Sequence, residues 1–414
     1  MQRSTYEPSA ASAKGTSPQV ATGDNEGASP QVATDAMATA QSPRVLPDSW
    51  RVSFSTGKTK SLPAEARTRN LALVLQTIYA DGPLSRADLA RATHLTKVTI
   101  SDLVARLMGD GLVQEVGADQ YLRPGKPAVL LDLVKDAFAV GCLDLSDGNT
   151  FKAALFDLNF TELKRISVSR VGKRGTDALE AALDLATELV KASTLPVIGL
   201  GVGSPGVVSA DGMVRTSMSL GWTDIPLASL IEERTGIPTI VENDANAATI
   251  AESAARQDNE DLLFVSVWSG IGAGLVLDGG LLRGQSFASG EIGRLTVGPG
   301  DTSLEEWISL PALDHRLGES EDADAVFTAA GEHLAVALAP IVAMLNLTTV
   351  VLNGPDDIVT GPFIEATNQS LRARTMSFSN EGLQVAPSQL GTDVVLLGCA
   401  WLALNRFLEN HNNR

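Results

Sequence analysis

From Lys135 onward the sequence alternates between strand-like and helix-like texture in a fixed succession. "AVGCLDL", "FKAALFDL" and "LKRISVSR" read as a meander of three strands, "GTDALEAALDLATELVKAS" as an amphipathic helix, and "VIGLGVG" as a buried strand. A second succession runs through "LLFVSVW", "AGLVLDGG", a long helix near Ala325 to Leu345, "TTVVLNG" and a final helix from Asp393. Such repetition predicts two α/β lobes with a cleft between them. In open α/β sheets, ligands sit beyond the carboxyl ends of the strands.

Ahead of these lobes, residues 63–134 have a different texture. Leu71, Val74, Leu75 and Ile78 recur at helical spacing and stop at "DGP". "SRAD" from Ser85 resembles a capping box, and Thr96 is placed to cap a third helix with Ile100, Leu103, Val104 and Leu107 on one apolar face. Two alternating runs around "ADQYLRPGKP" read as a hairpin. Helix, helix, turn, helix and hairpin make a winged helix-turn-helix. Its third helix would enter the major groove of operator DNA, with Val98 turned inward and Thr96, Lys97, Thr99 and Ser101 outward. Arg123 and Lys126 would touch DNA from the hairpin tip. The structural alternative is a winged helix used for protein contacts.

The chain's net charge of −17 argues against wholesale attraction to nucleic acid or anionic membranes. DNA contact must therefore come from that module, in which acidic and basic residues balance. One module buries little DNA surface, so a dimer reading two half-sites is expected. Residues 1–62, with "SPQVAT" at Ser17 and again at Ser29, read as a disordered low-complexity tail. No secretory signal is evident, and apolar runs such as "LAVALAPIVAMLNL" read as too short and too broken by proline to span a bilayer. Cys142 and Cys399 sit in apolar runs and read as inert thiols in a reducing cytoplasm.

The second part also carries motifs with chemistry. "GVGSPGVV" (Gly201 to Val208) and "SGIGAGLVLDGG" (Ser269 to Gly280) are Gly-rich segments of a kind that lets backbone amides approach phosphate or sugar oxygens. "SGEIGR" and "LEEWIS" supply carboxylates. In order and spacing these resemble the ROK family (repressors, open reading frames and kinases), most strongly across "GVGSPGVVSADGMVRTSMSLGWTDIPLASLIEERTGIPTIVENDANAATIAE". The resemblance extends from about Thr68 to the C-terminus. It implies a two-lobed actin-like ATPase fold, with lobes of about 135–247 plus 393–410, and 248–392.

The resemblance also implies a sugar site. Asn243 and Asp244 match the family's Asn-Asp pair, in which the kinases' Asp takes the proton from the attacking hydroxyl. Glu291 and Glu305 match two further sugar ligands, Gly206 lies in the signature segment, and Ser219 replaces an Asn before "LGW". Asp244 read alone also fits a helix N-cap, a role that can coexist with the favoured ligand role. Arg294 stands where the family has a zinc-binding His, and the Cys-rich loop has shrunk to "GPGDTSLEEW", so no zinc is expected. Arg294 could bind a phosphorylated or carboxylated effector, or pair with Glu291 or Glu305.

On the nucleotide side, "DLSDGNT" places Asp147 near the phosphate position and Trp268 replaces a phosphate-loop glycine. ATP binding is therefore not expected, and Asp244 is expected to hold a hydroxyl without acting as a base. The reading is a cytoplasmic, dimeric transcriptional repressor of carbohydrate genes that binds operator DNA and a sugar effector. The rivals are an active ROK sugar kinase fused to a DNA-binding domain, and a ligand-blind DNA-binding protein on a relic fold.

Overall fold

The computed structural model describes residues 63–118, 128–256, 261–320, 322–359, 361–378 and 380–410, all within one compact unit. The expected tail at 1–62 and the hairpin-tip residues Arg123 and Lys126 lie outside the described residues.

The N-terminal segment comprises α1 (Pro63–Asp81), β1 (Leu84–Ser85), α2 (Arg86–Thr93), α3 (Lys97–Gly109), β2 (Val113–Ala118) and β3 (Val129–Leu133). Its strands form an antiparallel sheet in the order β1-β3-β2. Helix α2 starts in a full capping box, the Ser85 hydroxyl accepting from the Asp88 amide while Asp88 accepts from the Ser85 amide. Thr96 caps α3 by accepting from the Thr99 amide at 3.2 Å. Ile100, Leu103, Val104 and Leu107 are buried, as their spacing predicts. Val98 is not turned inward: it is 73% exposed. The buried stripe of α3 begins only at Ile100, and a residue two positions earlier lies about 200° away around the helix.

The first lobe runs β4 (Ala139–Asp144), β5 (Thr150–Asp157), β6 (Glu162–Ser169), α4 (Thr176–Lys191) and β7 (Val197–Ser204). A small sheet follows, of β8 (Val207–Val208), β9 (Val214–Ser217) and β10 (Trp222–Ile225), then α5 (Leu227–Thr235), β11 (Thr239–Asn243) and α6 (Asp244–Ala255). The second lobe runs β12 (Leu262–Val267), β13 (Ile271–Leu277), β14 (Gly280–Leu281), α7 (Leu304–Ile308), α8 (Leu310–Glu319) and α9 (Ala323–Leu345). It continues with β15 (Thr349–Asn353), α10 (Gly361–Arg374), β16 (Gln384–Pro387) and α11 (Val394–Asn410).

The two large sheets share one topology. Their orders are β11-β7-β4-β5-β6 and β14-β13-β12-β15-β16, each an antiparallel meander of three strands with two parallel strands added beside its first. The helices after the last strands are exchanged. Helix α6 follows the first sheet but packs mainly on β12 and β13, while α11 follows the second sheet and packs on β4, β7 and β11.

Glycines set how closely these helices approach. A Cβ at Gly201 on β7 would lie 1.9 Å from the Cys399 carbonyl oxygen of α11, and one at Gly398 would lie 1.9 Å from the Ala247 carbonyl oxygen of α6. On β13, a Cβ at Gly274 would meet Thr249 of α6 at 1.9 Å. These glycines of the two Gly-rich segments thus serve helix packing instead of ligand approach.

Helix α9 continues through Pro340 for 23 residues, longer than the broken run its sequence suggests. By length and composition, α9 and the helix ending at Glu409 are both sufficient to cross a membrane, yet half or more of each is buried inside this fold. One apolar cluster joins Leu71, Leu75, Ile78, Leu103 and Leu107 of the N-terminal helices to Ala247 and Ala251 of α6 and to Cys399, Trp401 and Leu404 of α11. The core of the N-terminal segment is thus continuous with that of the lobes.

Candidate functional site

The parallel strands β4, β7 and β11 end side by side, with Asp144 in register with Gly203 and Asn243 with Ser204. Their carboxyl ends therefore deliver Asp144 and the Asn243–Asp244 corner to one place, as expected for an open α/β sheet. The cap of α6 is Asn243, not Asp244. The Asn243 Oδ1 accepts from the Asn246 amide at 3.0 Å, and its Nδ2 donates to the Gly206 carbonyl oxygen at 3.0 Å and to Asp244 Oδ1 at 2.9 Å. Gly206 has φ 97°, and a Cβ there would lie 2.1 Å from the Thr216 carbonyl oxygen, so this turn requires glycine. Asn243 thus ties the "SPG" turn to the start of α6 and points the Asp244 carboxyl.

Burial pushes the Asp244 carboxyl up to about 7, and the charges of Asp144 and Glu291 act in the same direction. The buried Asp144 is also raised, by desolvation, against two hydrogen bonds from Ser146, amide at 2.9 Å and hydroxyl at 2.6 Å. Desolvation of its carboxyl and then the nearby Glu305 raise Glu291, although the residue as a whole is solvent-exposed. Glu305 sits in the first turn of α7, and its Oε2 accepts from the Ile271 amide at 3.4 Å. The cleft therefore gathers four carboxylates that can accept hydrogen bonds from hydroxyl groups, and Asp144, Asp244 and Glu291 among them are held above their ordinary range.

Arg294 makes no ion pair with Glu291 or Glu305 among the described residues. Its Nη2 instead lies 2.9 Å from Sδ of Met218, in the turn between β9 and β10 of the opposite lobe. Ser219, next to it, is exposed, 3.5 Å from the Ser217 hydroxyl. Met218, 71% exposed at this cross-lobe contact, has no sequence signal beyond an apolar residue in a turn.

A second cross-lobe contact was also hidden in the sequence. Arg283, after β14, donates to Glu242 Oε2 at 2.7 Å, while Glu242 Oε1 accepts from Asn246 Nδ2 and from the Asn243 amide. The only available hint is a charged residue within the otherwise apolar "TIVEN" strand. Glu242 is 5% exposed, so this pair braces the Asn243–Asp244 corner from behind.

The loops opposite are occupied by protein groups. Asp147 does not present an unmatched charge: Lys152 lies 3.3 Å away, and Asp147 Oδ1 accepts from the Asn149 and Thr150 amides. A Cβ on Gly148 would lie 3.3 Å from the Ser269 hydroxyl, so the two Gly-containing loops meet directly. Trp268 donates from Nε1 to Asn353 Oδ1 at 2.9 Å, and Asn353 Nδ2 donates to the Gly391 carbonyl oxygen at 3.0 Å, just ahead of α11. The shortened loop before α7 is closed by backbone pairing, Val297 to Thr302 at 3.1 Å and Leu304 to Leu295 at 2.8 Å. It rests on Trp307, which stacks on His333 at 3.7 Å. Leu304 is fully buried there.

The sequence pattern of the ROK family matches residues 140–303, the segment that contains this corner, both Gly-rich segments and Glu291. Residues 140–303 form a ROK family domain. A putative xylose repressor of Caldicellulosiruptor sp. (strain Rt8B.4) is 26% identical over 82% of this chain and 96% of its own length. The DNA-binding transcriptional repressor Mlc of Escherichia coli is 23% identical over 81% of this chain and 93% of its own. Among solved structures, a ROK family transcriptional regulator homologous to Escherichia coli MLC superposes with a TM-score of 0.74, at 22% identity over 83% of this chain and 97% of its own. The ROK hexokinase of Thermus thermophilus gives 0.54 at 29% identity, over 65% of this chain and 98% of its own. The exchanged-helix, twice-repeated sheet is thus the actin-like ROK sugar-kinase fold.

At the N-terminal segment, Lys97, Ser101 and Thr96 are exposed and Thr99 is half-buried. The Thr96 and Thr99 hydroxyls share a hydrogen bond of 2.9 Å, and the Ser101 hydroxyl donates to the Lys97 carbonyl oxygen at 2.9 Å.

Proposed function

We propose that this protein is a sugar-responsive transcriptional repressor. Residues 63–134 act as a winged helix-turn-helix on operator DNA, and the ROK domain holds a carbohydrate between its lobes through Asn243, Asp244, Glu291 and Glu305. The observation that carries this reading is the apolar cluster shared by α1–α3 and the two exchanged helices α6 and α11. A cleft ligand that moves one lobe against the other must shift α6 or α11, and the first N-terminal helix, α1, rests on α11. Coverage of the relatives supports it. The repressors match more than four fifths of the chain, whereas the hexokinase matches 65% of it.

In this mechanism the free protein is a cytoplasmic dimer that spaces two winged helices over a pair of half-sites. The sugar binds one lobe arrangement more tightly than the other and shifts the population by that difference alone. The path from cleft to DNA runs from Trp268 through Asn353 to Gly391, along α11 to Trp401, and from there to Tyr79 of α1.

A second reading, a sugar kinase fused to a DNA-binding domain, draws on Asp244, whose carboxyl near 7 suits a general base. The contact between Gly148 and Ser269 and the Trp268–Asn353 bond weigh against it, since phosphoryl transfer depends on cradling the phosphates. The test is salt-dependent binding of the full chain to the DNA upstream of its own gene, with and without a panel of neutral sugars. Binding that one sugar weakens supports the repressor. Failure to bind that DNA at low salt rejects it, and sugar-dependent ATP turnover lost in Asp244→Asn establishes the kinase.

A further inference from the structure

Helix α3 would have to read DNA with its first two turns, yet the hydroxyl groups there are largely engaged. Thr96 accepts from the Thr99 amide and shares a proton with the Thr99 hydroxyl, and Ser101 spends its proton on the Lys97 carbonyl oxygen. Such local bonds hold the helix cap and leave a single free hydroxyl proton among these three side chains. Between Lys97 and Thr99 the helix instead exposes an apolar side chain. Val98 is 73% exposed, in a helix whose other large aliphatic residues, Ile100, Leu103, Val104 and Leu107, are between 0 and 2% exposed.

A lone valine is not a protein interface. Its exposed neighbours are Lys97, Ser101 and Asp102, and this polar surround is too small and too charged for a protein-binding apolar patch. The major groove of DNA offers a matching partner. Thymine alone presents a methyl group there, and side chains from the start of a recognition helix reach that edge. Lys97, adjacent and exposed, is suited to the flanking phosphate.

We propose that Val98 is a specificity-determining residue that packs against the C5-methyl of one thymine in each operator half-site. The proposal rests on the DNA-binding reading above and adds to it which base is read, and by which group. Val98 is β-branched, so in a helix its rotamer is largely fixed, and its two methyl groups form a preset surface.

The experiment uses the full chain and a duplex from upstream of its own gene, footprinted first to locate the site. Each thymine in the footprint is then replaced singly by deoxyuridine, which removes only the methyl group. The expected result is one thymine per half-site at which the replacement weakens binding about fourfold, the effect of one methyl group's burial. In Val98→Ala, thymine and deoxyuridine duplexes should bind with equal affinity, while the mass by light scattering and the melting temperature stay unchanged because the side chain is exposed. Val98→Ala that keeps the full thymine preference overturns the proposal, as does a footprint in which no deoxyuridine matters. Both of those outcomes leave the repressor reading standing. A change in oligomeric mass in Val98→Ala with thymine preference intact would assign the valine to a protein contact and also overturn it. Absence of any footprint rejects both the reading and the proposal.

Discussion

The ring of Tyr79, on the first helix, packs against the indole of Trp401 on α11 with centroids 6.3 Å apart and planes tilted by 49°. Phe160 flanks the same indole at 6.1 Å. Trp401 is therefore where the N-terminal helices, the first lobe and the inter-lobe helix meet.

Replacing Tyr79 by Leu keeps apolar volume but removes the tilted aromatic pair, a loss of about 1 kcal/mol. The expected phenotype is uncoupling: sugar affinity and sugar-free DNA affinity stay near wild type, while the sugar's effect on DNA binding shrinks severalfold. Fluorescence anisotropy on labelled operator, titrated with the sugar, measures it. A full sugar response in Tyr79→Leu would show that the signal takes another route.

Because the N-terminal core is continuous with that of the lobes through α11, the described residues are expected to unfold as one cooperative unit. Calorimetry should give a single transition. A separate low-temperature transition that is abolished by deleting residues 1–134 would contradict a shared core.

The Glu242–Arg283 pair predicts a directional mutant effect. Arg283→Met strands a carboxylate that is 7% exposed and should cost about 2–3 kcal/mol, the lower end for a broken buried pair because Arg283 itself is 36% exposed. Glu242→Gln with Arg283→Met should cost less than Arg283→Met alone. Urea denaturation of the three proteins tests this, and equal stability of Arg283→Met and wild type would remove the brace from the account.

Asp244 makes stability depend on pH. An unfolded aspartate titrates near 3.9, whereas burial and the charges of Asp144 and Glu291 hold Asp244 up to about 7. Between those values the folded state binds a proton that the unfolded chain does not, so this group's contribution falls as pH rises from about 4 through 7. Asp244→Asn should therefore gain stability relative to wild type as pH increases from 5 to 8. Part of the wild-type slope should remain, because Asp144 and Glu291 are also shifted upward. An identical pH slope in the variant would place Asp244 in solvent.

A methyl at Gly201 would collide with the backbone of Cys399, which no rotamer change relieves. Gly201→Ala should destabilise by about 3 kcal/mol, measured by the denaturant midpoint. Gly236→Ala makes a useful contrast. Nothing lies within 4 Å of its added Cβ, and only its φ of 72° is unfavourable.

The contrast among these glycines shows what a sequence can reveal. The strand-helix succession, the caps at Ser85 and Thr96, and the Asn-Asp corner depend on local spacing, and each was readable from it. The reason for "GLGVG" was not, because the atoms that exclude a side chain at Gly201 arrive from a helix nearly two hundred residues later. Trp268 was legible as a replaced glycine, but its bond to Asn353 required the second sheet to be folded. Asp147 read as a bare negative charge, and only the β4–β5 pairing brought Lys152 to neutralise it. A valine in an amphipathic helix is expected inward, but the buried stripe of α3 starts at Ile100, two residues too late to include Val98.

The exchange of α6 and α11 also governs how this chain can be divided. Each half of the domain ends in a helix that completes the other half's sheet, so a break between residue 256 and residue 261 would leave both fragments with a helix facing solvent and a sheet uncovered. Such fragments would be inviable separately and complementary together. The first lobe cannot close until the seventeen-residue α11 has been synthesised, which ties the completion of the first sheet to a helix made long after its own strands.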